Sequence, residues 1–190
     1  RLPKFILRYC FIMLLVILFW AASPVIGLVA FLVYSAWHFG ETDLREWGFP
    51  SIGLSFLWGT MLLAMILLPH LGEVNTVLEV MGITRLDWPA EFVNMAIRMT
   101  LTLGLFMGLW FRSIPWIVAM VTLNLTATLP LATTFGIYFV LQHSLSGWNH
   151  LKLSHKWTNL EMWMKALPFT IGAVVLFLLV FRFDKNSMLA

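Results

Sequence analysis

Seven apolar runs, at residues 5–22, 25–39, 51–68, 90–111, 116–129, 131–149 and 166–183, take up most of the chain. This pattern constrains the fold more than any motif does. A helix of about 20 mostly apolar residues is what crosses the ~30 Å hydrocarbon core of a bilayer, and backbone in that core must satisfy its own hydrogen bonds. The chain is 61% hydrophobic and 11% charged, against about 45–50% and about 25% in a soluble domain. A globule of this length leaves too much surface in water to hide that excess. Soluble enzymes, disordered chains and nucleic-acid binders are excluded, although a net charge of +3 and a pI near 9.3 would suit the last. The expectation is an all-α integral membrane bundle of about seven transmembrane helices.

No repeat or linker divides the sequence, so residues 1–190 read as one transmembrane domain. The chain starts at Arg1 and turns apolar within four residues, so an upstream N-terminal portion is expected. Cys10 is the single cysteine, which excludes an internal disulfide. Gly40 is expected to stop the second span, and the 71–89 connection to hold an interfacial helix with Trp88 at the headgroups. Lys and Arg gather in cytoplasmic loops. With seven spans, eight of them (Arg1, Lys4, Arg8, Arg45, Arg112, Lys152, Lys156 and Lys165) fall on the N-terminal side, and three (Arg85, Arg182 and Lys185) on the other. The N-terminal side is therefore expected in the cytoplasm.

Histidines are the chemistry-bearing residues. At 1.5 Å per residue, His38 stands ~20 Å above Pro24 and His143 ~20 Å above Pro130, so both arrive at one depth. His150 follows on the same run as His143. Imidazole is the commonest protein metal ligand, and ionisable groups within spans usually mark a functional site with a partner. His38, His143 and His150 are thus candidate ligands of a metal or haem; the alternative is that each bonds a neighbouring helix or reaches the interface. His143 and His150 are seven residues apart, ~10 Å along an ideal helix, so joint ligation needs an interruption, for which Gly147 is the expected place. Glu41 and Asp43 are candidates to accept the second N–H of a ligating histidine; otherwise they cap loops and face water. His70 is expected at the interface and His155 in water.

Two segments carry a specific likeness. Trp37-His38-Phe39-Gly40 with Asp43, and Phe135-Gly-Ile-Tyr-Phe-Val-Leu-Gln-His143-Ser144 with His150-Leu151 after it, resemble the bacterial Brp/Blh family of membrane β-carotene cleavage enzymes. The resemblance implies a multi-span bacterial membrane protein with a ferrous ion, Fe(2+), held by histidines; the charge count puts those histidines toward the cytoplasmic side of the plasma membrane. It implies oxidative cleavage of the central double bond of β-carotene by O2, giving two retinal molecules. Carried onto this chain, it makes His38, His143 and His150 the metal ligands. Two departures stand out: the family's N-terminal His-Gly-x-x-Asp motif is absent, and Gly147 replaces the second histidine of an HSxxH-like pair.

The residues accord with such a substrate. An uncharged polyene offers no polar handle, so aromatic contact would carry its recognition, and Phe135, Tyr138, Phe139 and Trp148 beside His143 are the candidates. For any one of them, ordinary helix packing or lipid contact is the favoured alternative. Arg98 lies inside the fourth span, where a partner or a polar cavity is expected; Asn124, Thr126 and Thr128 on the fifth span, or Glu91, are the candidates to provide it. From the residues alone, a bis-histidine haem protein for electron transfer and a metal-free transporter or structural bundle remain open beside the dioxygenase.

Overall fold

A computed structural model describes residues 2–187; the side chains at 2–6, 8–10, 143, 145–146, 149–150, 153, 169, 173 and 176–187 lie outside the description. The elements are α1 (Leu2–Ala22), α2 (Pro24–Glu46), α3 (Ile52–Leu67), α4 (Leu71–Val80), α5 (Ala90–Trp110), α6 (Ile114–Thr126), α7 (Leu131–Tyr138), a π-helical segment (Phe139–Ser144), α8 (Leu145–His155) and α9 (Asn159–Ser187). No strand occurs among the described residues. The chain divides into two compact units, Arg1–Ser144 and Leu145–Ala190.

Helix starts follow local chemistry. Ser23 accepts a hydrogen bond from the Ile26 N–H, with Pro24 at the first helical position, and Ser113 caps α6 in the same way through the Trp116 N–H. Among the described residues, α2 and α5 are long and apolar enough to cross a membrane, with only 22% and 17% of their most apolar stretches buried. Lipid must cover the rest, so the protein is a helical membrane bundle. Helices α3 and α4 pass the same test together but bend by 92° at their junction, as in a broken or re-entrant span. Helix α6 has 13 residues, ~20 Å of rise, which is short of the ~30 Å core.

Gly40 does not stop a helix. Helix α2 runs on to Glu46 because Gly40 is where α2 meets α3: a Cβ there would lie 1.8 Å from the Ser55 carbonyl oxygen, and one on Gly59 would lie 1.7 Å from that of Ala36. Ala36-x-x-x-Gly40 on α2 thus faces Ser55-x-x-x-Gly59 on α3, the small-residue spacing that lets helix backbones touch. The expected polar loop after residue 40 is mostly helix for this reason. The 71–89 connection contains α4, and Asn75 pins the segment that follows by accepting from the Leu86 N–H (2.8 Å) and donating to the Leu86 carbonyl (3.2 Å).

Trp58 and Trp116 are fully buried at the centre of the larger unit, with ring centroids 4.8 Å apart, and Trp47 stands 4.9 Å from Trp58. His70 packs inside the bundle at the end of α3. It is buried, with Nδ1 2.6 Å from the Ile66 carbonyl and Nε2 2.6 Å from the Leu129 carbonyl. One imidazole thereby ties the end of α3 to the segment between α6 and α7. Glu73 of α4 accepts from the Leu131 N–H at 3.1 Å, setting a carboxylate against the start of α7, where helix polarity favours one.

Candidate functional site

Helix α2 presents two sides with different tasks. Ala36, Gly40 and Asp43 face the α3 crossing, whereas His38 is about 160° around the helix from Gly40. The His38 ring is half-buried and stacks on Tyr34, one turn earlier, with centroids 5.7 Å apart and planes 4° apart; Phe39 tilts against it at 5.9 Å. The Thr42 hydroxyl donates to the His38 carbonyl at 2.8 Å.

Asp43 is wholly buried, and among the described residues the partners of its carboxylate are Trp58 and Tyr138. Its Oδ2 accepts from Trp58 Nε1 of α3 at 2.8 Å and from the Tyr138 hydroxyl of α7 at 2.5 Å. Its Oδ1 has no hydrogen-bond partner among the described residues. One carboxylate therefore joins three helices, and charge-assisted bonds of this kind are the strong ones. Sequence reasoning placed Asp43 beside a ligand because the two are close along the chain; their helical phases differ by about 140°. Glu41 pairs with Arg45 one turn on, at the exposed edge of α2.

Tyr138 closes α7, and the next residue opens the π-helical segment that carries His143 in the chain. Such segments occur mostly as single turns inside helices and often at functional sites. The interruption expected at Gly147 lies instead at Phe139–Ser144, and Gly147 falls within regular α8. Helix α2 packs on the π-helical segment, so the elements bearing His38 and His143 are neighbours in one unit. The side chains of His143 and His150 lie outside the described residues. Among those described, no group of three His, Cys, Asp or Glu side chains could hold a metal.

The predicted aromatic residues separate. Phe39 meets Phe135 and Tyr138 edge-on, each at 6.4 Å, and Phe135 stacks on Phe139 at 5.8 Å. Phe31, Phe39, Leu63, Leu131 and Phe135 line a cavity of about 610 Å³ between α2, α3, α4 and α7. Tyr138 is buried behind this wall with its hydroxyl on Asp43. Trp148 belongs to the smaller unit and packs on Trp163 at 5.3 Å; His155 there is exposed and stacks on Trp157. Phe39 and Trp58 were missed by sequence reasoning, and only the Phe39 neighbourhood of His38 could have signalled either.

A family model described as Beta-carotene 15,15'-dioxygenase matches residues 1–188. No curated protein and no solved structure matches the chain.

Proposed function

The chain belongs to the β-carotene 15,15'-dioxygenase family, and from that membership we propose that it splits the central double bond of β-carotene with O2 into two retinal molecules. The observation that carries this reading is the aromatic cluster of Phe39, Phe135 and Phe139 with His38 against Phe39, of which Phe39 and Phe135 line the mainly apolar 610 Å³ cavity. A polyene without polar groups is bound by shape and aromatic contact, and ligand pockets of this kind are mostly apolar.

The donors proposed for Fe(2+) are His38, His143 and His150. Neutral imidazoles suit ferrous iron, which when bound would supply the activation of O2. The chain's own residues do the rest. Tyr34 and Phe39 restrict the His38 ring, and the bundle keeps water from the reacting carbons. Asp43 holds Tyr138, and so the start of the π-helical segment, against α2. No acid or base is required of Glu41 or Asp43. The proposed setting is a bacterial plasma membrane, with the site on the cytoplasmic side and the substrate entering from lipid.

Expression in β-carotene-producing bacteria tests the reading. Retinal should form and the orange colour fade. His38→Ala and His143→Ala should abolish both with insertion unchanged, while His155→Ala leaves them intact. Elemental analysis should find iron in the purified protein and less in the His38 variant. A Soret band in place of colourless, iron-containing protein would favour haem instead, and persistent carotene with full-length protein inserted would refute the cleavage.

A further inference from the structure

Arg98 is the charge that the site leaves unused. It lies in α5, Ala90–Trp110, which is long and apolar enough to cross a membrane. Its side chain is exposed, and among the described residues it forms no hydrogen bond or ion pair, so Asn124, Thr126, Thr128 and Glu91 are not its partners. A lone guanidinium facing hydrocarbon is costly. No described residue of the chain neutralises it.

The surroundings indicate what does. Arg98 lines a groove of about 700 Å³ between α3 and α5, whose other walls include Leu57, Met61, Ala64, Leu103 and Phe106. Thr60, Thr100 and Thr102 also line it, so the groove has one cationic point on a mainly apolar length, the complement of an acyl chain ending in an anion. Depth agrees. Arg98 is eight residues past Ala90, ~12 Å along the axis, and helical side chains tilt toward the N-terminus. A long Arg side chain therefore reaches toward the nearer headgroup layer, where guanidinium binds phosphate by paired hydrogen bonds. We propose that Arg98 and the α3–α5 groove bind an anionic phospholipid, phosphate on the guanidinium and one acyl chain along the groove. Lipid, rather than aqueous phosphate, is the occupant because the walls are mainly apolar and face the membrane.

Native mass spectrometry of the full chain in detergent tests this with phosphatidylglycerol and phosphatidylcholine of identical acyl chains. Phosphatidylglycerol should be retained in preference. Arg98→Gln should weaken its retention roughly tenfold or more and leave phosphatidylcholine unchanged, whereas Arg98→Lys should keep part of the preference. Ala64→Phe, which retains the charge but fills the groove, should also displace phosphatidylglycerol. Melting temperatures of the three variants verify that they are folded. Equal retention of both lipids, or undiminished phosphatidylglycerol binding by Arg98→Gln or Ala64→Phe, would overturn the proposal. So would a dimer that Arg98→Gln dissociates, since the groove would then belong to a second copy.

Discussion

The Tyr138 hydroxyl donates to the Asp43 carboxylate at 2.5 Å across 95 positions of sequence. This bond ties the helix that carries His38 to the residue at which α7 gives way to a π-helical turn. With Trp58 donating to the same oxygen, it is the polar centre of an otherwise apolar contact between α2, α3 and α7.

Removing the hydroxyl measures that centre. Tyr138→Phe keeps the ring and should lower unfolding stability in detergent by about 1.5–3 kcal/mol, the usual range for a hydrogen bond to a charged group. Asp43→Ala should cost more, because it orphans both the Tyr138 hydroxyl and the Trp58 N–H. A double-mutant cycle between Asp43 and Tyr138 should give a clear coupling energy; additive effects would mean that the two groups do not meet.

The α2–α3 crossing has no room for a methyl group. Gly40→Ala and Gly59→Ala should each destabilise the protein by at least about 1–3 kcal/mol, as overpacking does, because the colliding atoms are main-chain oxygens of the facing helix. Gly53→Ala, in the same α3 but with open space around it, should be neutral or stabilising, since alanine favours helix. Equal melting temperatures for the three variants would contradict the close approach.

His70 should behave as a structural clasp. His70→Leu removes the ring that bridges the Ile66 and Leu129 carbonyls, and a buried carbonyl left unsatisfied costs about 1–3 kcal/mol. The expected result is a lowered melting temperature, with faster amide exchange where α3 ends and around Leu129. Carotene cleavage per folded molecule should persist, which separates this histidine from His38.

At the start of α9, Thr158 and Glu161 form a capping box. Glu161 Oε2 accepts from the Thr158 N–H at 2.7 Å and from its hydroxyl at 3.0 Å, and the Glu161 N–H donates back at 3.3 Å. These bonds hold the carboxyl below its ordinary value of 4.5. A depressed carboxyl contributes stability above that ordinary value and loses it as pH falls through the lowered one. Amide protection in the first turn of α9, compared with that of Glu161→Gln, should therefore be greater at neutral pH and converge in acid. A pH-independent difference would count against the box.

Much of the fold was legible because it is governed by local chemistry. The apolar runs at 51–68 and 90–111 correspond to α3 and α5 within a residue or two at each end, since an apolar helix satisfies its own backbone bonds wherever it sits. The second run was cut at Gly40 because a glycine after an apolar stretch looks like a stop. Here it is a contact surface, and that depends on Ser55, a residue of the next helix. His38 could be singled out from its motif, and Phe135 from its neighbourhood of His143. Asp43 was noticed, but its bonds to Trp58 and Tyr138 were not foreseen, because proximity along a helix is not proximity in phase. The turn irregularity was expected at the glycine and lies instead at Phe139–Ser144, directly after the residue that Asp43 holds.

The amino-acid order alone determined that this is a helical chain for a lipid environment and that its histidines merit attention. Both follow from hydrophobicity and residue chemistry, which need no partner to be read. The tertiary structure decided which polar groups meet: Tyr138 and Trp58 on Asp43, His70 between two carbonyls, and Arg98 left facing a groove. Those outcomes depend on how helices cross and rotate against one another, and packing of distant side chains sets those angles where no local pattern can.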